Sequence, residues 1–238
     1  MKATPHTEPH PSKGNEGQSL NQLRAAVLGA NDGITSVAGI VLGVAGATSS
    51  KSTIVTAGVA GLLAGAISMA AGEYVSVSSQ RDTEKALLDK ERYELENYPK
   101  EELTELIGLY EAKGLSRETA TLVAKELTKH DVFAAHVETE LGIDPENLTS
   151  PSEAAIASAI SFTVGAAIPL TAILLPSESW RVPVTFVAVV IALIITGALS
   201  ARAGKSNARK AIVRVVAGGV IAMIVTYGIG LFLHAQGI

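Results

Sequence analysis

Two Glu-x-x-Glu pairs, Glu91/Glu94 and Glu102/Glu105, precede a His-x-x-x-Glu pair, His136/Glu140, in one stretch of the chain. On a helix, spacings of three and four residues put both members of a pair on one face. Five carboxylates and an imidazole carried by three helices can converge on divalent cations, and a mainly oxygen donor set gives a hard or borderline metal preference. Glu-x-x-Glu also decorates solvated helix faces. Here two copies and a His-x-x-x-Glu lie in a block, residues 81–153, that holds 18 of the 23 acidic residues of the chain, and this favours a metal site. The block has 9 basic residues and a net charge of −9, so the overall −4 conceals a surface that attracts cations and repels nucleic acid. His130, beside Asp131, reads as a helix-surface or packing residue rather than a ligand.

A second set of polar residues lies where the chain is otherwise apolar. Asp32 sits within Asn31-Asp32-Gly33, about two turns past Arg24, deep enough in an apolar run to lose its hydration. Charge in such a place is usually functional, and a carboxylate there can exchange a proton for a cation. The structural alternative is an Asp that caps a broken helix beside Gly33. Met69 and Glu73 are four residues apart and share a helix face. Methionine is more often core filler than ligand, but beside Asp32 and Glu73 its thioether suits a borderline transition metal better than Ca²⁺ or Mg²⁺.

The elements that must position these groups are helices. Five apolar runs, residues 23–47, 53–77, 154–175, 182–201 and 212–233, are long enough to cross a bilayer, which takes about 20 residues. They lack the polar face that a helix of a soluble bundle would carry. Arg24, Arg81, Lys85, Lys90, Arg92, Arg202, Lys205, Arg209 and Lys210 fall on one side of the resulting topology, against Lys51 and Arg181 on the other. The positive-inside rule then makes the N-terminus and the acidic block cytosolic and the C-terminus outside. Residues 1–20 read as a disordered tail, in which His6 and His10 are solvated rather than ligating. The absence of cysteine excludes disulfides and thiolate ligands.

The second span meets no helix breaker before Pro99, which predicts one helix from Thr53 to about Asn97, with Glu91 ~27 Å beyond Glu73. Pro99 and Gly114 bracket a short helix, and Ser116 with Glu118 and Thr119 opens another that reaches Leu141 before Gly142 ends it. Leu87, Leu88, Leu95, Leu103, Leu106, Ile107, Leu122, Val123 and Leu127 are the candidates to pack these three helices. Glycine pairs Gly29/Gly33, Gly39/Gly43 and Gly61/Gly65 allow close helix approach in the apolar part, and Pro169 predicts a kink. Five spans are few to enclose a path, so a homodimer with the path near its interface is expected. The expected fold class is an all-α membrane protein with five transmembrane helices and a cytosolic three-helix metal-binding domain inserted between helices 2 and 3. The corresponding domains are the tail 1–20, helices 1–2 at 21–80, the metal-binding domain at 81–150 and helices 3–5 at 151–238.

From Leu23 onward the chain resembles the vacuolar iron transporter family. The likeness is carried by Asn31-Asp32-Gly33-Ile34, by Ser68-Met69-Ala70-Ala71-Gly72-Glu73-Tyr74, by the Glu pairs and by Glu140-Leu141-Gly142. The resemblance implies a five-span dimer that moves Fe²⁺, and often Mn²⁺, out of the cytosol in exchange for H⁺. It implies that Glu91, Glu94, Glu102, Glu105 and Glu140 are cytosolic metal ligands, that Asp32 and Met69 are a mid-membrane pair, and that Glu73 stands near the cytosolic mouth. Eukaryotic members carry two adjacent methionines where His136 and Val137 stand, so the balance among Fe²⁺, Mn²⁺, Co²⁺ and Zn²⁺ is expected to differ. The short tail and compact loops look like those of a bacterial member, for which export crosses the plasma membrane; a eukaryotic member would sit in the vacuolar membrane.

The expected function is therefore a proton-coupled divalent-metal transporter, not an enzyme, with the lipid bilayer, metal ions and a second copy as partners. The rival from another class is a membrane-anchored di-iron carboxylate enzyme or iron store. Such sites use Glu-x-x-His repeats in a four-helix core, whereas this chain offers one well-placed His and leaves Asp32 without a role in that reading. A sensor gating a separate channel would need a partner the sequence does not show.

Overall fold

The computed structural model describes residues 13–237, and side chains from residue 25 onward except that of residue 203. Residues 1–12, with His6 and His10, lie outside the described residues. Helical hydrogen bonding starts at Lys13, inside the stretch 1–20 expected to be tail. Among the described residues every regular element is helical: α1 Lys13–Ala47, α2 Lys51–Asn97, α3 Pro99–Ala112, α4 Arg117–His136, a π-helical turn Val137–Leu141, then α5 Pro151–Leu174, α6 Glu178–Ala203 and α7 Ala208–Ala235. Five helices have segments long and apolar enough to cross a membrane: α1 over Ala25–Ala47, α2, α5, α6 over Glu178–Arg202, and α7. The chain divides into two compact units, one made of residues up to Tyr74 and from Ser152 on, the other Val75–Pro151.

In the spanning unit α1 packs on α6 and α7, and α6 on α7. Ile34, Val37, Ala38, Val41 and Leu42 of α1 are fully buried. Their spacing is that of one helical stripe, so α1 is the central strut of this unit. The stripe meets Phe162, Ala166 and Ile173 of α5, Val189 and Leu193 of α6 and Met223 of α7. Outward faces are apolar too, with Ile156, Ile160 and Val164 of α5 and Ile221, Ile224 and Val225 of α7 all exposed, as lipid-facing positions require.

Glycines make the closest crossings. At Gly33 the space for a Cβ is taken by the Phe162 carbonyl, and Gly165 answers against the Ala30 carbonyl, so α1 and α5 touch backbone to backbone. Gly39 and Gly43 face Thr226 of α7, and Gly65 of α2 receives the Phe162 ring. The small-residue pairs expected from the sequence are thus contact positions. At one end of this unit the buried Arg181 donates from Nη1 to the Ser49 carbonyl at 3.0 Å, which ties the α1–α2 connection to α6. Helix α5 runs through Pro169 to Leu174.

The unit Val75–Pro151 has a small core of Leu106, Ala124 and Ala135, flanked by Leu103, Ile107, Tyr110 and Leu127. Two of the leucines expected to pack the helices, Leu87 and Leu122, are instead exposed. The stripe of α4 is Ala120, Ala124 and Leu127, and its small residues let α3 and α4 lie close, which leaves Leu122 off the contact face. Ser116 caps α4, its side chain accepting from the Thr119 N–H, as the sequence predicts.

The expected continuous helix from Ser116 to Leu141 is interrupted. Asp131 has extended backbone angles, φ −157° and ψ 101°, inside α4. Its Oδ1 accepts the Ala134 N–H at 2.9 Å, the bond of an N-cap, so a fresh helical leg starts here. That leg widens into the π turn, closed by the Gly142 N–H donating to the Val137 carbonyl at 2.8 Å. Gly142 has φ 63°, the left-handed conformation that glycine adopts without strain.

Candidate metal centre

The π turn and the three helices of the polar unit bring four side chains together. Ligating atoms of Glu91 on α2, Glu102 on α3, His136 at the end of α4 and Glu140 on the π turn all lie within 4.8 Å of one another. His136 Nδ1 is the hub, 3.1 Å from Glu91 Oε1, 3.6 Å from Glu102 Oε2 and 4.0 Å from Glu140 Oε2. His136 is fully buried, Glu91 is 3 % exposed and Glu102 6 % exposed. Glu140 is the most open member, its side chain 25 % exposed, and gives the site a mouth.

The polar atoms at the centre are not satisfied by one another. Glu91 Oε1 and both ring nitrogens of His136 are buried without a hydrogen-bond partner, although Nδ1 and Oε1 are within reach. The distance is right but the alignment of a hydrogen bond is missing. Buried polar groups left so are costly and rare in folded proteins. Donor atoms that face a common point without bonding one another are what a cation site requires, and three carboxylates with an imidazole suit a borderline divalent metal. The donor set therefore fits a metal ion.

Electrostatics agree. Burial, with the charges of Glu140, Glu102, Glu94 and Glu105 added, pushes the Glu91 carboxyl up from 4.5 to about 7. Burial and neighbouring carboxylates also raise Glu102 and Glu140, and burial lowers His136. Like charges crowded in a desolvated place favour the protonated form, and a divalent cation relieves the same repulsion.

Glu94 and Glu105 stand outside the four-residue cluster. Glu94 is held by Lys90, whose Nζ donates to its Oε2 at 2.7 Å, and Glu105 is exposed. Both remain close enough to act on the cluster by charge. His130 is exposed and joins no cluster of three or more metal-ligating side chains among the described residues.

The membrane residues belong to the spanning unit. Asp32, on α1 one residue before the tight crossing at Gly33, is half-buried and accepts the Ser36 hydroxyl at 2.9 Å. The alternative of a cap on a broken helix does not apply, since α1 is unbroken through Asp32. Asn31 beside it has a buried Oδ1 with no hydrogen-bond partner. Met69 is half-buried against the core, and Glu73 is half-buried one turn further along α2. Asp32 and Glu73 join no cluster of three or more His, Asp or Glu side chains among the described residues.

Sequence reasoning passed over Asp131 and the π turn. The signal for the first was present: Asp followed by Val-Phe-Ala-Ala is a cap before an apolar run. The π turn leaves no such local mark. Tyr110 and Arg92 were also missed as supports. The Tyr110 hydroxyl is 3.2 Å from Thr139 Oγ1, and the Arg92 guanidinium lies 4.7 Å over the Phe133 ring. Both contacts hold the leg that carries His136 and Glu140.

Comparison with known proteins accounts for the whole spanning and polar framework together. The model of the VIT family matches residues 23–231. The chain is 43 % identical over 209 residues to a vacuolar iron transporter of Acanthamoeba castellanii, covering 87 % of this chain and 77 % of that one. It is 36 % identical over 217 residues to vacuolar iron transporter homolog 2.1 of Arabidopsis thaliana, covering 91 % and 83 %. It is also 36 % identical over 219 residues to vacuolar iron transporter homolog 5 of Oryza sativa, covering 92 % and 83 %. With a family match over residues 23–231, which reaches into all five candidate spanning helices and includes the four clustered side chains, this chain belongs to the VIT family.

Proposed function

We propose that the protein is a multi-pass membrane transporter that moves Fe²⁺, and also Mn²⁺, out of the cytosol in exchange for protons. The observation that carries this reading is the largely buried cluster of Glu91, Glu102, His136 and the more open Glu140 in a chain with five candidate spanning helices. Relatives named vacuolar iron transporters supply the cargo class. Iron is the substrate here, not a resident cofactor, and Co²⁺ or Zn²⁺ are competitors for the same donors.

In this mechanism the cluster, with Glu94 and Glu105 as its charged surround, captures the cation from the cytosol. The ion then passes to Glu73, Met69 and Asp32 and leaves on the far side, where protonation of the carboxylates releases it. Proton and metal compete for the same oxygens, so acid on the far side drives the exchange. The orientation with a cytosolic N-terminus follows from the Lys and Arg distribution. Support for grouping the two ends comes from Arg181, which binds the connection that Lys51 closes. A homodimer, with the path near its interface, supplies the enclosure that five helices lack. The membrane is the bacterial plasma membrane, given the compact loops. The di-iron enzyme or store finds less support: the cluster has one His, and the relatives are named transporters.

The test is transport in liposomes under an imposed pH gradient. Wild type should take up Fe²⁺ and Mn²⁺ in proportion to the gradient. Asp32→Ala should reduce flux to the level of empty vesicles while metal binding at the polar unit persists. Normal flux in Asp32→Ala would sink the membrane step, and absence of flux in wild type would sink the transporter reading.

A further inference from the structure

His136 and Glu140 reach the metal cluster only because the chain changes course just before them. A helix that ran unbroken from Ser116 would keep one axis and one rotational phase through to Leu141. Instead Asp131, in extended conformation, ends the first leg of α4 and caps the second through its bond to the Ala134 N–H at 2.9 Å. Everything after it takes a new direction and a new phase. The new leg is then fixed at three points: Phe133 under the Arg92 guanidinium, Ala135 in the core with Leu106, and Thr139 against the Tyr110 hydroxyl. His136 directly follows Ala135 and Glu140 directly follows Thr139, so these contacts fix both residues, which, four apart, face Glu91 and Glu102 together.

We propose that Asp131 is a positioning residue of the metal site, acting through its side-chain cap and not through its charge. The inference rests on the metal-binding reading of the cluster. Asp131 is exposed, and no ligating atom of it joins the cluster, so its influence on a bound ion is through the backbone it sets. A cap needs a side-chain oxygen that can accept from the N–H three residues on. Asn offers one, whereas Ala does not.

The experiment uses full-length protein in detergent titrated with Co²⁺ at about pH 7.5, following both affinity and the visible spectrum of the bound ion, which reports imidazole coordination. Asp131→Ala should weaken Co²⁺ binding about tenfold, the scale of a lost cap, and shift the spectrum toward an all-oxygen site. Asp131→Asn should bind within about threefold of wild type with an unchanged spectrum. Glu102→Ala serves as the reference that removes a ligand outright. Wild-type affinity and spectrum in Asp131→Ala, with binding lost in Glu102→Ala, would overturn the positioning role and leave the metal site standing. Loss in Asp131→Asn equal to that in Asp131→Ala would also overturn it, because charge would then be the active property. No Co²⁺ binding by wild type, or unchanged binding in Glu102→Ala, would remove the metal reading and this inference with it. Should circular dichroism show Asp131→Ala unfolded, the decision passes to Asp131→Asn, for which retained binding supports the cap and lost binding in a folded protein overturns it.

Discussion

The two units of this chain solve opposite problems. In the spanning unit the interior is all but free of charge, and cohesion comes from shape: glycines on α1, α2 and α5 let backbones meet, as at Gly33 against Phe162 and Gly165 against Ala30. In the polar unit the core is Leu106, Ala124 and Ala135 with a few flanking residues, while next to it three carboxylates and an imidazole are crowded, with Glu91 Oε1 and both His136 nitrogens lacking hydrogen-bond partners. The first is stable because it is well packed. The second is crowded, and under the proposed metal-binding function part of the stability it could have is withheld until a cation arrives.

The same substitution, Gly to Ala, should expose that difference most strongly. A Cβ at Gly33 collides with the Phe162 carbonyl and with Ala166 N at 2.9 Å, and backbone atoms held by two helices cannot step aside. Gly33→Ala should cost about 3 kcal/mol or prevent folding, the upper end of overpacking effects. At Gly108 of α3 a Cβ meets nothing within 4 Å, so Gly108→Ala should stabilise the polar unit by about 0.5–1 kcal/mol through helix propensity alone. Thermal unfolding in detergent, followed by circular dichroism, checks both; a harmless Gly33→Ala would mean that the α1–α5 contact does not hold the spanning unit together.

A pH series should separate the units next. The folded state holds the Glu91 proton up to about 7, against 4.5 for a free carboxylate, so between those values it binds more protons than the unfolded chain. Stability from this group is therefore complete below about pH 4.5, falls as pH rises through the window and stays low above it, a loss on the order of 3 kcal/mol. Glu102 and Glu140, raised by burial and by neighbouring carboxylates, act in the same sense. His136 acts in the other: burial keeps it neutral, so its contribution is present above 6.5 and lost as pH falls through its lowered value. Three carboxylates outweigh one imidazole. The metal-free polar unit should melt at a higher temperature near pH 5.5 than near pH 7.5, and saturating Mn²⁺ should raise the melting temperature more at the higher pH. A metal-free melting temperature that climbs with pH would mean that the carboxylates are not crowded as described.

How much of this was legible in the sequence follows the same division. Helices in lipid obey a few strong rules, and the five apolar runs located the spanning helices to within a few residues at most ends. The continuation of α2 to Asn97 was readable because no proline interrupts it before Pro99. Glu91, Glu102, His136 and Glu140 were legible as a set from their spacing, but their selection from the wider group was not. Glu94 lies outside the four-residue cluster, its carboxylate bonded to Lys90 four residues before it, and Glu105 lies outside it on a face of α3 open to water. The break at Asp131 left a cap signal, Asp before an apolar run, but the direction of the following leg depends on its contacts with Arg92 and Tyr110, and tertiary contacts of that kind leave no periodic trace.

A smaller expected effect carries the comparison furthest. His136→Met replaces a buried imidazole, whose two nitrogens lack hydrogen-bond partners, by an unbranched apolar side chain of similar size. In the metal-free protein that change removes unsatisfied polar atoms and should stabilise the polar unit by about 1 kcal/mol, moving it toward the economy of the spanning unit. With metal present the change should cost affinity, since a neutral thioether is a weaker donor to divalent ions than imidazole. The loss should be larger for Co²⁺ and Zn²⁺, which favour imidazole, than for Mn²⁺, which favours oxygen, so the Co²⁺ to Mn²⁺ affinity ratio should drop several-fold. Melting curves and competition titrations on one preparation measure both quantities. A variant less stable without metal would show that the ring is held by packing and not merely tolerated, and an unchanged metal ratio would take His136 out of the ligand set; stability gained together with selectivity lost identifies the imidazole as a group kept for the ion at the expense of the fold.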